Sequence, residues 1–102
     1  MNDTMIIIGA GVAGLCTGIY AQMNGYQTRI IEKHNIPGGL VTAWKRNGYK
    51  IDLCIHWLAG SGPGIYLNRY WKEIGLLEGR EFFHYDRYAV FHGKDGRCAG
   101  WR

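Results

Sequence analysis

MIIIGAGVAGLCTGIYAQMNGYQTRIIE, residues 5–32, is the stretch whose reading decides the fold. Met5 to Ile8 form an unbroken apolar run, the pattern of a parallel strand covered by helices on both faces. The run stops at Gly9, and Gly9, Gly11 and Gly14 stand at GxGxxG spacing. Gly9 permits the tight turn out of the strand, Gly11 keeps a Cβ out of the path of an approaching diphosphate, and Gly14 lets helix and strand pack closely. On the helix that follows, Leu15, Ile19 and Met23 recur at every fourth position, while Ala13, Gly14, Thr17, Gly18 and Ala21 are small enough for close approach. The unpaired N–H groups of its first turn, around Val12, Ala13 and Gly14, carry a partial positive charge that suits a diphosphate. Gly25 ends this helix, and Gln27 to Glu32 give a second strand. Glu32 lies 18 positions beyond Gly14, where a carboxylate can accept hydrogen bonds from both adenosine ribose hydroxyls and repels a 2′-phosphate. With its neighbour Lys33 it marks the adenosine side of the site. The stretch as a whole reads as an α/β, Rossmann-like βαβ unit for a dinucleotide.

At 102 residues the chain is one small domain. A lone βαβ unit leaves its sheet open at both edges, so residues 1–102 are expected to be the N-terminal part of a cofactor domain, with the rest of that domain and a substrate domain elsewhere. The net charge is +4, but Lys and Arg are scattered without a stripe, which argues against nucleic acid. Cys16, Cys54 and Cys98 are widely spaced, with no CxxC and no His at ligand spacing, so neither a disulfide framework nor a metal site is expected. A reducing, cytoplasmic setting follows. The chain opens directly into its first strand, leaving no room for a signal peptide, and no apolar run approaches the ~18 residues of a spanning helix. Peripheral contact with a membrane surface stays open.

After Glu32, a polar turn ends in Gly38-Gly39, implying a second close backbone approach. Thr42 to Arg46 and Tyr49 to Leu53 flank Asn47-Gly48, the strongest short hairpin signal. From Ile65 to Leu77, Leu67, Tyr70, Trp71 and Ile74 recur at three and four, predicting a helix with Pro63 near its start and Gly75 after its end. The Trp and Tyr residues of this stretch are expected in the core rather than in a ligand cage. Arg87 to His92 and Arg97 to Trp101 flank Gly93-Lys94-Asp95-Gly96, a second hairpin with Gly96 in the left-handed region. His34, His84 and His92 are isolated and read as solvated or structural.

These motifs in order, the GxGxxG turn, the acid closing the second strand, Gly38-Gly39, a hairpin, and Asp52 followed by His56, resemble the FAD-binding N-terminus of the phytoene desaturase and amine oxidase group. The runs Trp57-Leu58-Ala59-Gly60-Ser61-Gly62-Pro63-Gly64 and Trp71-Lys72-Glu73-Ile74-Gly75 are most similar to the bacterial phytoene dehydrogenase-related oxidoreductases. The resemblance covers essentially the whole chain. It implies FAD as cofactor, with Gly38, Gly39 and Leu40 beside the diphosphate or ribityl chain and Cys54, Ile55 and His56 nearer the isoalloxazine. Two positions depart from the family pattern. Leu40 stands where members often carry a basic residue, and Cys54 where many carry Gly, as a small space-filler or as a thiol touching the chemistry. His56 is the one weak catalytic candidate, set against a buried imidazole bonded to a backbone carbonyl.

Three functions remain in play. The first is an FAD-dependent oxidoreductase that removes hydride from a C–C or C–N bond of an apolar or amine small molecule, with desaturation or isomerisation of a polyene as its more specific form. The second is a nicotinamide-dependent dehydrogenase, which shares the glycine turn and the acid but does not need Gly38-Gly39 or the Asp52 to His56 segment. The third is a non-catalytic piece that exposes apolar surface and holds no cofactor by itself. Oligomeric state is not legible.

Overall fold

The computed structural model describes residues 3–52, 55, 57–87 and 89–101. Strand β1, Thr4–Ile8, and strand β2, Gln27–Ile31, pair in parallel, with Thr4 opposite Gln27 and Ile8 opposite Ile31. The crossover between them is helix α1, Val12–Met23. Its C-terminus closes in a Schellman turn: Gly25 sits at φ 86°, its N–H donates to Gln22 O, and the Tyr26 N–H donates to Ala21 O at 3.0 Å. The expected βαβ unit is therefore present.

Two details of this unit differ from expectation. The buried face of α1 holds Gly18 and Ala21, while Ile19 and Met23 of the large-residue stripe are exposed. A Cβ on Gly18 would lie 3.1 Å from Ile30 Cδ1, so the Ile30 and Ile7 side chains fill the gap and leave little room for one from the helix. The large residues are displaced to the flank. Strand β1 is also covered on one face only: Ile7 is buried beneath α1, whereas Ile6 and Ile8 on the opposite face are 62% and 79% exposed, beside Ile31 of β2. An apolar strand sequence records what the strand can bury, and here half of that capacity is unfilled.

Beyond β2, the Asn47-Gly48 signal gives the hairpin of β3, Ala43–Arg46, and β4, Tyr49–Asp52, with both turn residues at positive φ, 50° and 81°. Helix α2 runs only over Asn68–Glu73, shorter than the predicted 65–77. Separate turn bonds, such as Asn68 N–H to Ile65 O, precede it, and Gly75 at φ 72° stops it. Asn68, buried, donates from Nδ2 to Ser61 O at 2.6 Å and ties the helix to the preceding loop. The aromatics here do not form a closed core: Trp71 is half-buried at the edge of a partly open apolar cavity, and Tyr66 is exposed and packs edge-on against Tyr70.

The last hairpin joins β5, Ala89–His92, to β6, Cys98–Trp101. Its tip is a turn from Gly93 to Gly96 with Gly96 at φ 77°, as its sequence predicts. Here the reading of His92 as isolated is corrected: its Nδ1 lies 3.0 Å from Cys98 Sγ. His84 likewise has a neighbour, stacking on Phe82.

Among the described elements, each hairpin packs only on itself, and α2 meets α1 through side chains alone. The radius of gyration is accordingly 18.6 Å, against about 13 Å for a compact chain of this length. Between the flank of α1 and residues 55–82 lies an apolar cavity of about 380 Å³, lined by Leu15, Ile19, Ile55, Trp71, Ile74 and Phe82 among others. One polar contact closes over this region: Tyr20 Oη donates to Glu73 Oε2 at 2.6 Å, and that carboxylate pushes the phenol up to about 12.

Candidate dinucleotide-binding site

The site is assembled where β1 ends. Gly9, at φ 98°, turns the chain away from the sheet, and its N–H still donates to Ile31 O at 2.7 Å, so the turn starts anchored to β2. Gly11 caps α1 in extended geometry and the Leu15 N–H closes the first helical bond on Gly11 O. No side chain caps this end, and the first turn holds no acid. The N–H groups of Val12, Ala13 and Gly14 thus point out of the helix without an internal anion to satisfy them.

The three glycines are constrained differently. A Cβ on Gly14 would fall 1.9 Å from Gly9 O, so the turn and the helix start cannot coexist with any side chain there. At Gly11 the nearest atom to such a Cβ is Gly39 Cα at 3.9 Å, an ordinary contact. Nothing among the described residues leaves too little room for a Cβ at position 11.

The second glycine pair docks on the first turn. Gly38 N–H donates to Ala10 O at 2.7 Å, an isolated parallel bridge joins Gly11 to Gly38, and Gly39, at φ 60°, is so close that its Cβ would reach Gly11 Cα at 3.0 Å. Leu40, next along, is 83% exposed at the rim.

Glu32 holds the opposite wall. Its Oε2 accepts the Ala10 N–H at 2.6 Å and its Oε1 accepts the His34 N–H at 2.8 Å. The backbone N–H of His34 first, then that of Ala10, hold the carboxyl below the usual carboxylate range. The carboxylate therefore clips the glycine turn to the loop after β2. Each oxygen still has a lone pair for a further donor.

The structure thus brings Gly9, Gly11, Val12, Ala13, Gly14, Glu32, Gly38 and Gly39 around one corner, with Lys33 and Leu40 next to it in the chain. Cys54 and His56 lie outside the described residues. Sequence reasoning missed the Glu32 to Ala10 bond and the Gly38 to Ala10 bridge, since neither a side-chain bond to a distant backbone N–H nor a loop-to-loop bridge has a local pattern. Among the described residues no group of three or more His, Cys, Asp or Glu could hold a metal ion, and no helix is long and apolar enough to cross a membrane.

Comparison with known proteins bears on this geometry. The family described as NAD(P)-binding Rossmann-like domain matches residues 7–74. A 1-hydroxycarotenoid 3,4-desaturase of Flavobacterium sp. (strain P99-3) is 42% identical over 48 residues, 47% of this chain and 10% of that protein. A chloroplastic/chromoplastic 15-cis-phytoene desaturase of Glycine max is 28% identical over 93 residues, 90% of this chain and 16% of that protein. A coproporphyrinogen III oxidase of Staphylococcus aureus is 32% identical over 84 residues, 74% of this chain and 16% of that protein. The chain spans between 10% and 16% of the length of these relatives. With a family match over most of its residues, on a βαβ unit whose glycine turn, second glycine pair and Glu32 meet at one corner, the chain is similar to carotenoid and phytoene desaturases and belongs to the NAD(P)-binding Rossmann-like domain family.

Proposed function

We propose that the chain is the N-terminal cofactor-binding part of an FAD-dependent oxidoreductase acting on C–C or C–N bonds of a small apolar or amine substrate. The observation that carries the reading is the docking of Gly38 and Gly39 on the glycine turn. It adds a second backbone wall to the corner, beyond what a single nicotinamide domain needs. The relatives include carotenoid and phytoene desaturases by name, which favours a polyene, and also a porphyrinogen oxidase, which widens the substrate class.

In this reading the free N–H groups of Val12, Ala13 and Gly14 face the diphosphate, and Gly9 and Gly11 keep the approach clear. Glu32, already an anion at neutral pH, accepts from the adenosine ribose hydroxyls with Lys33 beside it. Gly38, Gly39 and Leu40 flank the diphosphate and ribityl chain. His56 remains the candidate to face the ring system. The chemistry such a cofactor supplies when bound is acceptance of a hydride, or its two-electron equivalent. The residues of this chain bind, orient and exclude water around it.

The test is retention of cofactor by the purified chain. After incubation with FAD or NAD and desalting, a yellow protein with quenched flavin fluorescence is expected from FAD and no retained nucleotide from NAD. Retention of NAD without FAD would replace this reading with the nicotinamide-dependent dehydrogenase.

A further inference from the structure

The β5–β6 hairpin carries a cluster that the cofactor corner does not use. The Gly93 N–H donates to Arg97 O at 2.8 Å, which makes 93 and 97 a hydrogen-bonded pair and His92 and Cys98, the next pair along, a non-hydrogen-bonded one. Side chains of such pairs approach more closely than those of their neighbours. Cys98 Sγ and His92 Nδ1 are accordingly 3.0 Å apart, within reach for proton exchange, and Cys98 is exposed. On the same face, Arg87, Val90, Cys98 and Gly100 line an open cavity of about 280 Å³. Gly100 matters to its shape, since a Cβ there would already stand 3.7 Å from Arg87 Cδ. Arg87 makes no ion pair among the described residues; the nearby Arg97 is engaged by Asp95. A thiol, a base in contact with it, a guanidinium and room for a small reagent thus share one face of one hairpin.

We propose that Cys98 is a nucleophilic thiol and a site of covalent modification by small soft electrophiles, preferentially anionic ones. As the sulfur forms its bond to the electrophilic carbon, the leaving group departs with its electron pair and the thiol proton passes to His92 Nδ1. Arg87 raises the local concentration of an anionic reagent at the cavity. His92 and Arg87 act through the thiol and are positioning residues.

The test is alkylation of the full chain with iodoacetamide and with iodoacetate, read at each cysteine by peptide mass mapping. Cys98 in the folded chain is expected to react with iodoacetamide at least about tenfold faster than Cys98 of the same chain unfolded in urea, and His92→Asn to bring the folded rate down to the unfolded one. The ratio of iodoacetate to iodoacetamide rates at Cys98 is expected to fall severalfold in Arg87→Gln while its iodoacetamide rate stays above the urea rate, an acceleration that a loss of structure would abolish. A folded wild-type rate equal to or below the urea rate, or a rate unchanged in His92→Asn, would overturn the proposal. An unchanged reagent ratio in Arg87→Gln would overturn its anionic preference. The urea comparison needs no variant, so it decides even if a substitution unfolds the hairpin.

Discussion

The glycine turn at residues 9–14 and the hairpin around Asn47-Gly48 both depend on glycine, but for different reasons. In the hairpin, Asn47 and Gly48 adopt positive φ so that β3 and β4 pair with each other, and among the described elements the hairpin packs on no other. In the turn, Gly14 is held to glycine by Gly9 O, and distant segments close in on it: Gly39 against Gly11, where it is Gly39 that has no room for a Cβ, and the Glu32 carboxylate on Ala10. One glycine motif is local and self-sufficient, and the other is a meeting point of segments distant in sequence. Among the described residues, the second is where backbone walls from several segments converge.

That contrast is most sharply broken at Gly14. Gly14→Ala places a Cβ 1.9 Å from Gly9 O and should destabilise the βαβ unit by at least about 3 kcal/mol in urea unfolding. Survival of native stability would mean the turn can re-form another way.

Glu32 comes next in expected effect. Glu32→Ala removes the acceptor of both the Ala10 and His34 N–H groups and should weaken FAD binding by roughly tenfold or more. Because the folded state holds this carboxyl below its ordinary value of 4.5, its contribution is fully present above that value and is lost as pH falls through the depressed folded pKa. The stability gap between the wild type and Glu32→Gln should therefore be open at pH 7 and close in acid. A gap that is constant with pH would show that charge at Glu32 is irrelevant to the clip.

In the local region the effects should stay local. Asn47→Ala forces a residue with a Cβ and no polar side chain to hold φ 50°, costing about 1 kcal/mol. Amide exchange should quicken in residues 43–52 and remain unchanged in β1 and β2. The smallest change is expected from Tyr20→Phe, which deletes the exposed bond to Glu73. Exchange at α2 should rise slightly while FAD affinity stays the same.

The same division explains what the sequence disclosed. Strand, turn and helix at 5–32, both hairpins and their turn residues are encoded by neighbours in the chain, so periodicity and glycine positions were sufficient. The face of α1 was not, because the Leu15, Ile19, Met23 spacing says which residues align and not that Ile30 presses within reach of Gly18. Helix α2 came out shorter than its apolar spacing, since turns on either side use the same residues. Glu32 was legible as an acid just after β2, but its hold on Ala10 was not. His92 looked solitary for a related reason: its partner, Cys98, is six residues away across a turn, and only the register makes them neighbours.

The most direct test of the cofactor corner uses the glycine that the chain's own packing does not demand. Among the described residues a Cβ on Gly11 meets only Gly39 Cα, at 3.9 Å, so Gly11→Val should leave the circular dichroism spectrum and urea midpoint close to wild type while its methyls project into the diphosphate path. Titration of wild type and Gly11→Val with FAD, followed by flavin fluorescence, should show saturable binding in the first and none in the second. Equal FAD affinity in a folded Gly11→Val chain would contradict the assignment of this corner to the diphosphate.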